Sequence, residues 1–197
     1  PYVKNYPELY FLNYVLFHRT NDEEIKPCRT YFWKKIKDKV QGKTMVEAAL
    51  EINHWCAGEV MYQGTDMRTG SALEIYRSGV GRCGEEAVFV VNVMRSAGIP
   101  ARPVYVPRWS HCDDNHAWVE VWCDGDWHYL GACEPEAVLD KSWFTNAASR
   151  AMMIGSRWYD RAMPDEKVIG KDGMNRIINL LGKYAKTRWI TITVEDL

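Results

Sequence analysis

The residues best suited to chemistry lie in 79–86, Gly-Val-Gly-Arg-Cys-Gly-Glu-Glu, which set Cys83 in a glycine-flanked turn ahead of an apolar, helix-patterned run ending near Ala97. A thiol at a helix N-terminus meets the positive end of the helix dipole and unpaired backbone N–H groups, which favour thiolate over thiol. Gly81 and Gly84 allow a sharp entry into the helix and close approach of a substrate backbone, and Arg82 adds positive charge beside the sulfur. Arg82 and Gly84 are therefore candidate substrate-positioning residues. None of the other cysteines (28, 56, 112, 123 and 133) sits in such a turn. Further along, Asp113-Asp114-Asn115-His116 leads into an alternating segment, and His116 is the candidate base. In a thiolate–imidazolium pair the histidine lowers the thiol pKa and then protonates the leaving amine. His18, His54 and His128 lack comparable context, and His111 is the fallback. The plainer readings are a buried cysteine acting as a small hydrophobe and a capping or core histidine.

A third group should hold the imidazole in its working tautomer. The segment 127–130 carries no carboxylate, so Glu134 is the expected acid, with Glu120 and Asp114 as alternatives and a solvated surface carboxylate as the plain reading of Glu134. The backbone N–H of Cys83 is a natural first donor to an oxyanion. His111, Cys112, His116, Cys123, His128 and Cys133 are dense in soft ligands, but no Cys-x-x-Cys or His-x-x-x-His pair occurs and alternate strand positions point several of them apart. Neither a metal nor another cofactor is expected.

The positioning elements follow from periodicity. Residues 1–40 read as mostly helical, with one stripe of Leu9, Leu12, Val15 and Leu16 and a second opening at Tyr31, Phe32, Trp33 and Ile36. Thr44 with Glu47 is a capping box that opens a helix through Ala48, Ala49, Ile52 and Trp55. A loop from Gly64 and a short segment at 73–76 precede the Cys83 turn. The helix after Cys83 closes at Gly98, with Pro100 beyond. Residues 101–106 read as a strand and 107–115 as a polar loop. Segment 116–123 alternates, with Ala117, Val119, Val121 and Cys123 on one face and Trp118, Glu120 and Trp122 on the other. Asp124-Gly125 turns it into a return strand at 127–130. Helices followed by an antiparallel sheet indicate an α+β architecture. Trp143, Phe144, Trp158 and Tyr159 are expected to pack back on the sheet, 160–173 to form a loop or linker, and 187–194 to form the first strand of a further β-domain. The expected division is a core over 1–160 and a linker with that strand over 161–197.

The chain of 197 residues, 47% hydrophobic and 26% charged, is long enough for one cored domain. A formal charge of −1 gives no reason to expect nucleic acid. The longest apolar run, 87–91, falls far short of the roughly 20 residues that span a bilayer. The first residue is Pro1 rather than Met, so an exported origin stays open. The irregular spacing of the six cysteines argues against a disulfide framework. Nine tryptophans and eleven tyrosines suit core and rim packing, and also an aromatic cleft for an extended peptide or glycan.

Taken together, Gly81-Arg82-Cys83-Gly84-Glu85, Gly98-Ile99-Pro100-Ala101-Arg102 and the run from Asn115 through His116 to Trp122 resemble the transglutaminase-like core. That superfamily includes transglutaminases, peptide N-glycanases and bacterial thiol hydrolases on a papain-like fold, and the resemblance covers 44–135. It implies Cys83 as nucleophile and His116 as base, with N-terminal helices packed on an antiparallel sheet. It also implies that an indole from the preceding helix, here Trp55, can supply a second oxyanion donor, a packed core tryptophan being the alternative. One position departs: the family's aspartate, followed by proline, is replaced by Gly131, and an acid–proline pair comes three residues later as Glu134-Pro135. The stretch through Trp143-Phe144 and Ala148-Ser149-Arg150-Ala151 resembles exported multidomain proteins of gut-type Bacteroidetes, implying an extracytoplasmic location, periplasmic or at the cell surface, and additional domains. The expected activity is acyl transfer through a thioester, with hydrolysis of peptide or related amide bonds favoured over cross-linking, on a peptide, protein or glycopeptide. A non-catalytic peptide- or glycan-binding module and a structural spacer are the competing readings.

Overall fold

Two capping boxes set the helices around the Cys83 turn. The Thr44 side chain accepts from the Glu47 N–H while Glu47 reaches back to the Thr44 N–H, and Ser71 does the same with Glu74. In the computed structural model, which describes residues 1–64, 66, 68–158, 167–173, 175–188, 190 and 192–194, these caps open α3 (Met45–Glu59) and α4 (Ala72–Ser78). Before them come α1 (Glu8–Phe11), continued by a π turn over Leu12–Leu16, and α2 (Arg29–Val40), which buries Phe32, Ile36 and Val40. The N-terminal stripe is corrected here. Leu12 and Leu16 are 41% and 55% exposed, and Asn13, Tyr14 and Val15 face inward. The wider π turn rotates the apolar face away from the 3.6-residue register that the spacing assumes.

A short parallel pair, β1 (Met61–Tyr62) with β2 (Val80–Gly81), leads directly into α5 (Cys83–Ser96). This is the central helix, buried from Glu85 through Arg95 and packed against α2, α3, α4 and the sheet. It closes at Gly98, whose φ of +81° suits glycine. The sheet follows: β3 (Ala101–Val106), β4 (His116–Cys123), β5 (Asp126–Leu130) and, after the short α6 (Thr145–Ala148), β6 (Gly155–Trp158), β7 (Val168–Asp172) and β8 (Asn175–Asn179). The strands run antiparallel in the order β5-β4-β3-β6-β8-β7, and α7 (Leu181–Tyr184) follows. Mixed helix and antiparallel sheet is the α+β class expected.

The two faces of β4 separate two cores. Val119, Val121 and Cys123 join the cluster around α5, whereas Trp118 joins Val104, Val106, Phe144, Ile154 and Trp158 on the other side. Within that second side, Arg102 of β3 lies opposite Glu120 of β4 and donates from Nε to Oε2 over 2.6 Å. The Tyr184 hydroxyl donates to the other Glu120 oxygen at 2.6 Å and accepts from Trp118 Nε1 at 2.9 Å, while the Arg102 guanidinium lies 4.0 Å from the Trp127 ring centroid.

Two further expectations change. Residues 168–172, read as loop or linker, form β7 and extend the sheet through β8. Their alternation is interrupted by glycine and a register shift, which hides it in the sequence. In 187–194 no strand occurs among the described residues, and Ile190, Ile192 and Val194 are exposed. Phe144 and Trp158 are buried as expected, Trp143 is 62% exposed, and Tyr159 lies outside the described residues. Among the described residues no helix is long and apolar enough to cross a membrane.

Candidate active site

Cys83 is the first residue of α5 and half-buried, so solvent reaches its side of the helix start. The approach is braced from two directions. Met61 and Gln63 donate their N–H groups to the carbonyls of Gly79 and Gly81, each at 2.9 Å. Buried Glu85 accepts from the N–H of Arg82 at 3.2 Å and from that of Gly70 at 3.0 Å, tying the loop ahead of α4 to the turn. Arg82 in turn donates to the Arg68 carbonyl at 3.0 Å and to Thr69 Oγ1 at 3.1 Å. A side chain at position 84 would place its Cβ 3.2 Å from the Arg82 guanidinium, so glycine leaves that arginine room to lie across the helix start.

His116 opens β4, paired with Val106. Its ring is buried against Trp143 and Phe144, with centroids 4.7 and 5.1 Å away. The Cys83 thiol and the imidazole line the same groove, near enough for the sulfur to act on the charge of the ring. Burial alone would lower the histidine's pKa, but Cys83 and Glu134 outweigh it and lift the value to about 9.

Glu134 lies in a turn beyond β5. Its N–H donates to the Gly131 carbonyl at 3.2 Å, and its side chain folds back over Gly131. A Cβ at position 131 would stand 2.3 Å from Glu134 Oε2 and 2.8 Å from its Cβ. The later acid therefore fills the space that a side chain at 131 would claim, which gives the glycine a physical reason. Buried Asn53 of α3 clamps this turn, donating to the Gly131 carbonyl at 2.9 Å and accepting from the Cys133 N–H at 3.1 Å. Glu134 Oε2 reaches to 3.7 Å from His116 Nε2, and neither atom has a hydrogen bond among the described residues. At that separation the contact is an electrostatic one, outside direct hydrogen-bond range.

The other candidates lie elsewhere. Glu120 is taken up by Arg102 and Tyr184. Asp114 is exposed and accepts from the Asn115 N–H, and His111 is also exposed. His128 pairs with Asp140 at 2.6 Å. Trp55 packs against Tyr76 and Phe89, and is not among the residues that line the groove at Cys83. That groove, about 190 Å³, is bordered by Arg82, Cys83, Gly84, Tyr105, His116 and Arg157. Among the described residues no three His, Cys, Asp or Glu side chains gather as metal ligands, and all six cysteines are free. The sequence reading misses Asn53, Glu85 and Glu86. The one visible signal is polar residues on otherwise apolar helical stripes.

The sequence pattern of the transglutaminase-like superfamily matches residues 34–132, just over half of the chain. No curated protein matches it. Similar solved structures include a candidate cysteine protease from Cytophaga hutchinsonii, at 17% identity and a TM-score of 0.45 over 77% of this chain and 57% of that one. A candidate protease from Parabacteroides distasonis gives 18% identity and a TM-score of 0.49 over 65% of this chain and 25% of that one. Legionella pneumophila LapG gives 16% and 0.43 over 56% and 66%. The chain thus spans little more than half of the Cytophaga protein and a quarter of the Parabacteroides one.

Proposed function

The chain belongs to the transglutaminase-like superfamily, and on that footing we propose that it is a cysteine-dependent acyl-transfer enzyme that hydrolyses peptide or related amide bonds, acting outside the cytoplasm. The observation that carries the reading is a half-buried thiol at the start of α5, beside a buried imidazole, in an open groove. Nε2 is the nitrogen turned to Glu134, which leaves Nδ1 for the sulfur. His116 already holds the proton of the pair, and the Cys83 sulfur attacks the amide carbonyl as the thiolate. A C–S bond forms, and the carbonyl oxygen takes up negative charge against the first N–H groups of α5, which lack intrahelical partners. Collapse breaks the C–N bond as the imidazolium gives its proton to the departing amine. Water, giving a proton to His116, then attacks the thioester, and the carboxylic acid and the thiolate emerge. Glu134 supplies negative charge opposite the imidazolium throughout.

Replacing Cys83 by Ala is expected to abolish turnover of peptide substrates. At pH 6, iodoacetamide followed by peptide mapping should modify Cys83 at least tenfold faster than the exposed Cys112. Labelling at equal rates would end the enzyme assignment. The 3.7 Å gap between His116 and Glu134 favours one alternative, a peptide- or glycan-binding module on the same fold, and the labelling contrast separates the two.

A further inference from the structure

The groove at Cys83 carries a charge pattern that the chemistry above leaves unused. Arg82 and Arg157 line it along with the Cys83–His116 pair, and among the described residues no Asp or Glu does. Two carboxylates stand just outside the lining: Glu134, 3.7 Å from His116 Nε2, and Asp22, 3.9 Å from Arg157 Nη1. Whatever enters the groove thus meets two arginines and no acid on its walls. The two arginines are held differently. Arg82 donates to the Asp66 carbonyl, the Arg68 carbonyl and Thr69 Oγ1 at 3.3, 3.0 and 3.1 Å, which ties it to the loop ahead of α4. Arg157 comes from β6, where its neighbour Trp158 enters the second core, so alternation turns Arg157 to the other face. Its side chain is 34% exposed, and 3.9 Å to Asp22 is too long for a direct hydrogen bond. Asp22 itself is 61% exposed, on a loop pinned by buried Glu23, which accepts from the N–H groups of Thr20 and Asn21.

From this arrangement we propose that Arg157 is a specificity-determining residue, which selects peptide substrates carrying an Asp or Glu side chain next to the bond that Cys83 attacks. The inference rests on the enzyme reading above and names its substrate class. A guanidinium offers paired N–H donors that match the two oxygens of a carboxylate. The incoming acid takes the place of Asp22, and little is lost in the exchange because Asp22 is well solvated. Arg82 adds to the attraction from its fixed position on the same groove. An Asn or Gln side chain gains no ion pair there, and a Lys or Arg side chain is repelled by both cations.

The test alkylates Cys83 with two probes matched in size, the α-amides of bromoacetyl-glutamate and bromoacetyl-glutamine, and maps the products by mass spectrometry. The wild type should react with the glutamate probe about fivefold faster than with the glutamine probe. Arg157→Gln should lose that preference, and Arg157→Lys, which keeps the charge without the fork of donors, should restore part of it. Asp22→Asn has the opposite sign: it removes the competing carboxylate from an exposed position, and the preference should rise about twofold. Equal rates for the two probes in the wild type would overturn the proposal. So would a preference unchanged in Arg157→Gln or, where that variant does not fold, in Asp22→Asn. Iodoacetamide labelling of Cys83 no faster than of Cys112 would instead sink the enzyme reading, with the ratio of the two probes still deciding whether the groove favours an acid.

Discussion

His116 and Glu120 lie on the same face of β4, and their surroundings treat them in opposite ways. Glu120 is held by Arg102 and Tyr184 at 2.6 Å each, with Trp118 behind the tyrosine and the Trp127 ring under the arginine. Every strong polar atom there has a close partner, and the cluster is sealed. His116, at the open end of the strand, meets Glu134 only at 3.7 Å and borders the groove. A fully satisfied buried network rigidifies a core, whereas a loosely satisfied one keeps protons available for transfer. The contrast separates residues that hold this sheet together from the residues proposed to react.

The strongest way to break that contrast is to open the sealed cluster. Glu120→Ala leaves Arg102 buried without its counter-ion, and a loss of about 3–5 kcal/mol of unfolding free energy is expected in urea titrations. Alkylation of Cys83 in the folded protein should stay near the wild-type rate; a parallel collapse of reactivity would mean the two clusters are one unit. A smaller effect should appear with pH. The His116 pKa is raised from 6.5 to about 9, so the folded state keeps a proton that the unfolded chain gives up earlier. Stability from this group is complete below pH 6.5 and is lost as pH rises through about 9. Glu86, raised from 4.5 to about 8, changes in the same sense, the folded state again holding the extra proton between those values. Urea midpoints measured from pH 6 to 10 should fall, and His116→Ala should remove about 3 kcal/mol of the decline. A flat wild-type profile would contradict the coupling of thiol, imidazole and acid. The mildest change expected is Gly131→Ala. The new methyl group occupies the place of the Glu134 carboxylate and crowds the Glu134 Cβ, so the turn must shift, and Cys83 alkylation at neutral pH should slow about tenfold, roughly 1.4 kcal/mol of barrier. An unchanged rate would remove Glu134 from the set.

Much of this arrangement is written locally. The Thr44 capping box, the Asp124-Gly125 hairpin with positive φ at both residues, the closing Gly98 and the β3 and β4 strands depend on near neighbours, and each forms where the pattern indicates. Cys83 and His116 stand out for the same reason: a glycine-flanked helix start and a strand mouth are short-range signals. What escapes depends on register and distance. Glu120 can be told from Glu134 only once the β3–β4 pairing sets Arg102 against it. Glu86 looks like one more acidic residue near a helix N-terminus until packing encloses it. Leu12 and Leu16 mislead because a single π turn shifts the face they occupy.

The Asn53 clamp reaches beyond the turn it holds. Its amide bonds both ends of the Gly131–Cys133 segment, so the acid's location is dictated by a helix far upstream rather than by the strand that delivers it. A designer grafting this centre onto another scaffold would have to carry α3 along with its β-hairpin, and moving the three candidate side chains alone would leave the carboxylate without an anchor.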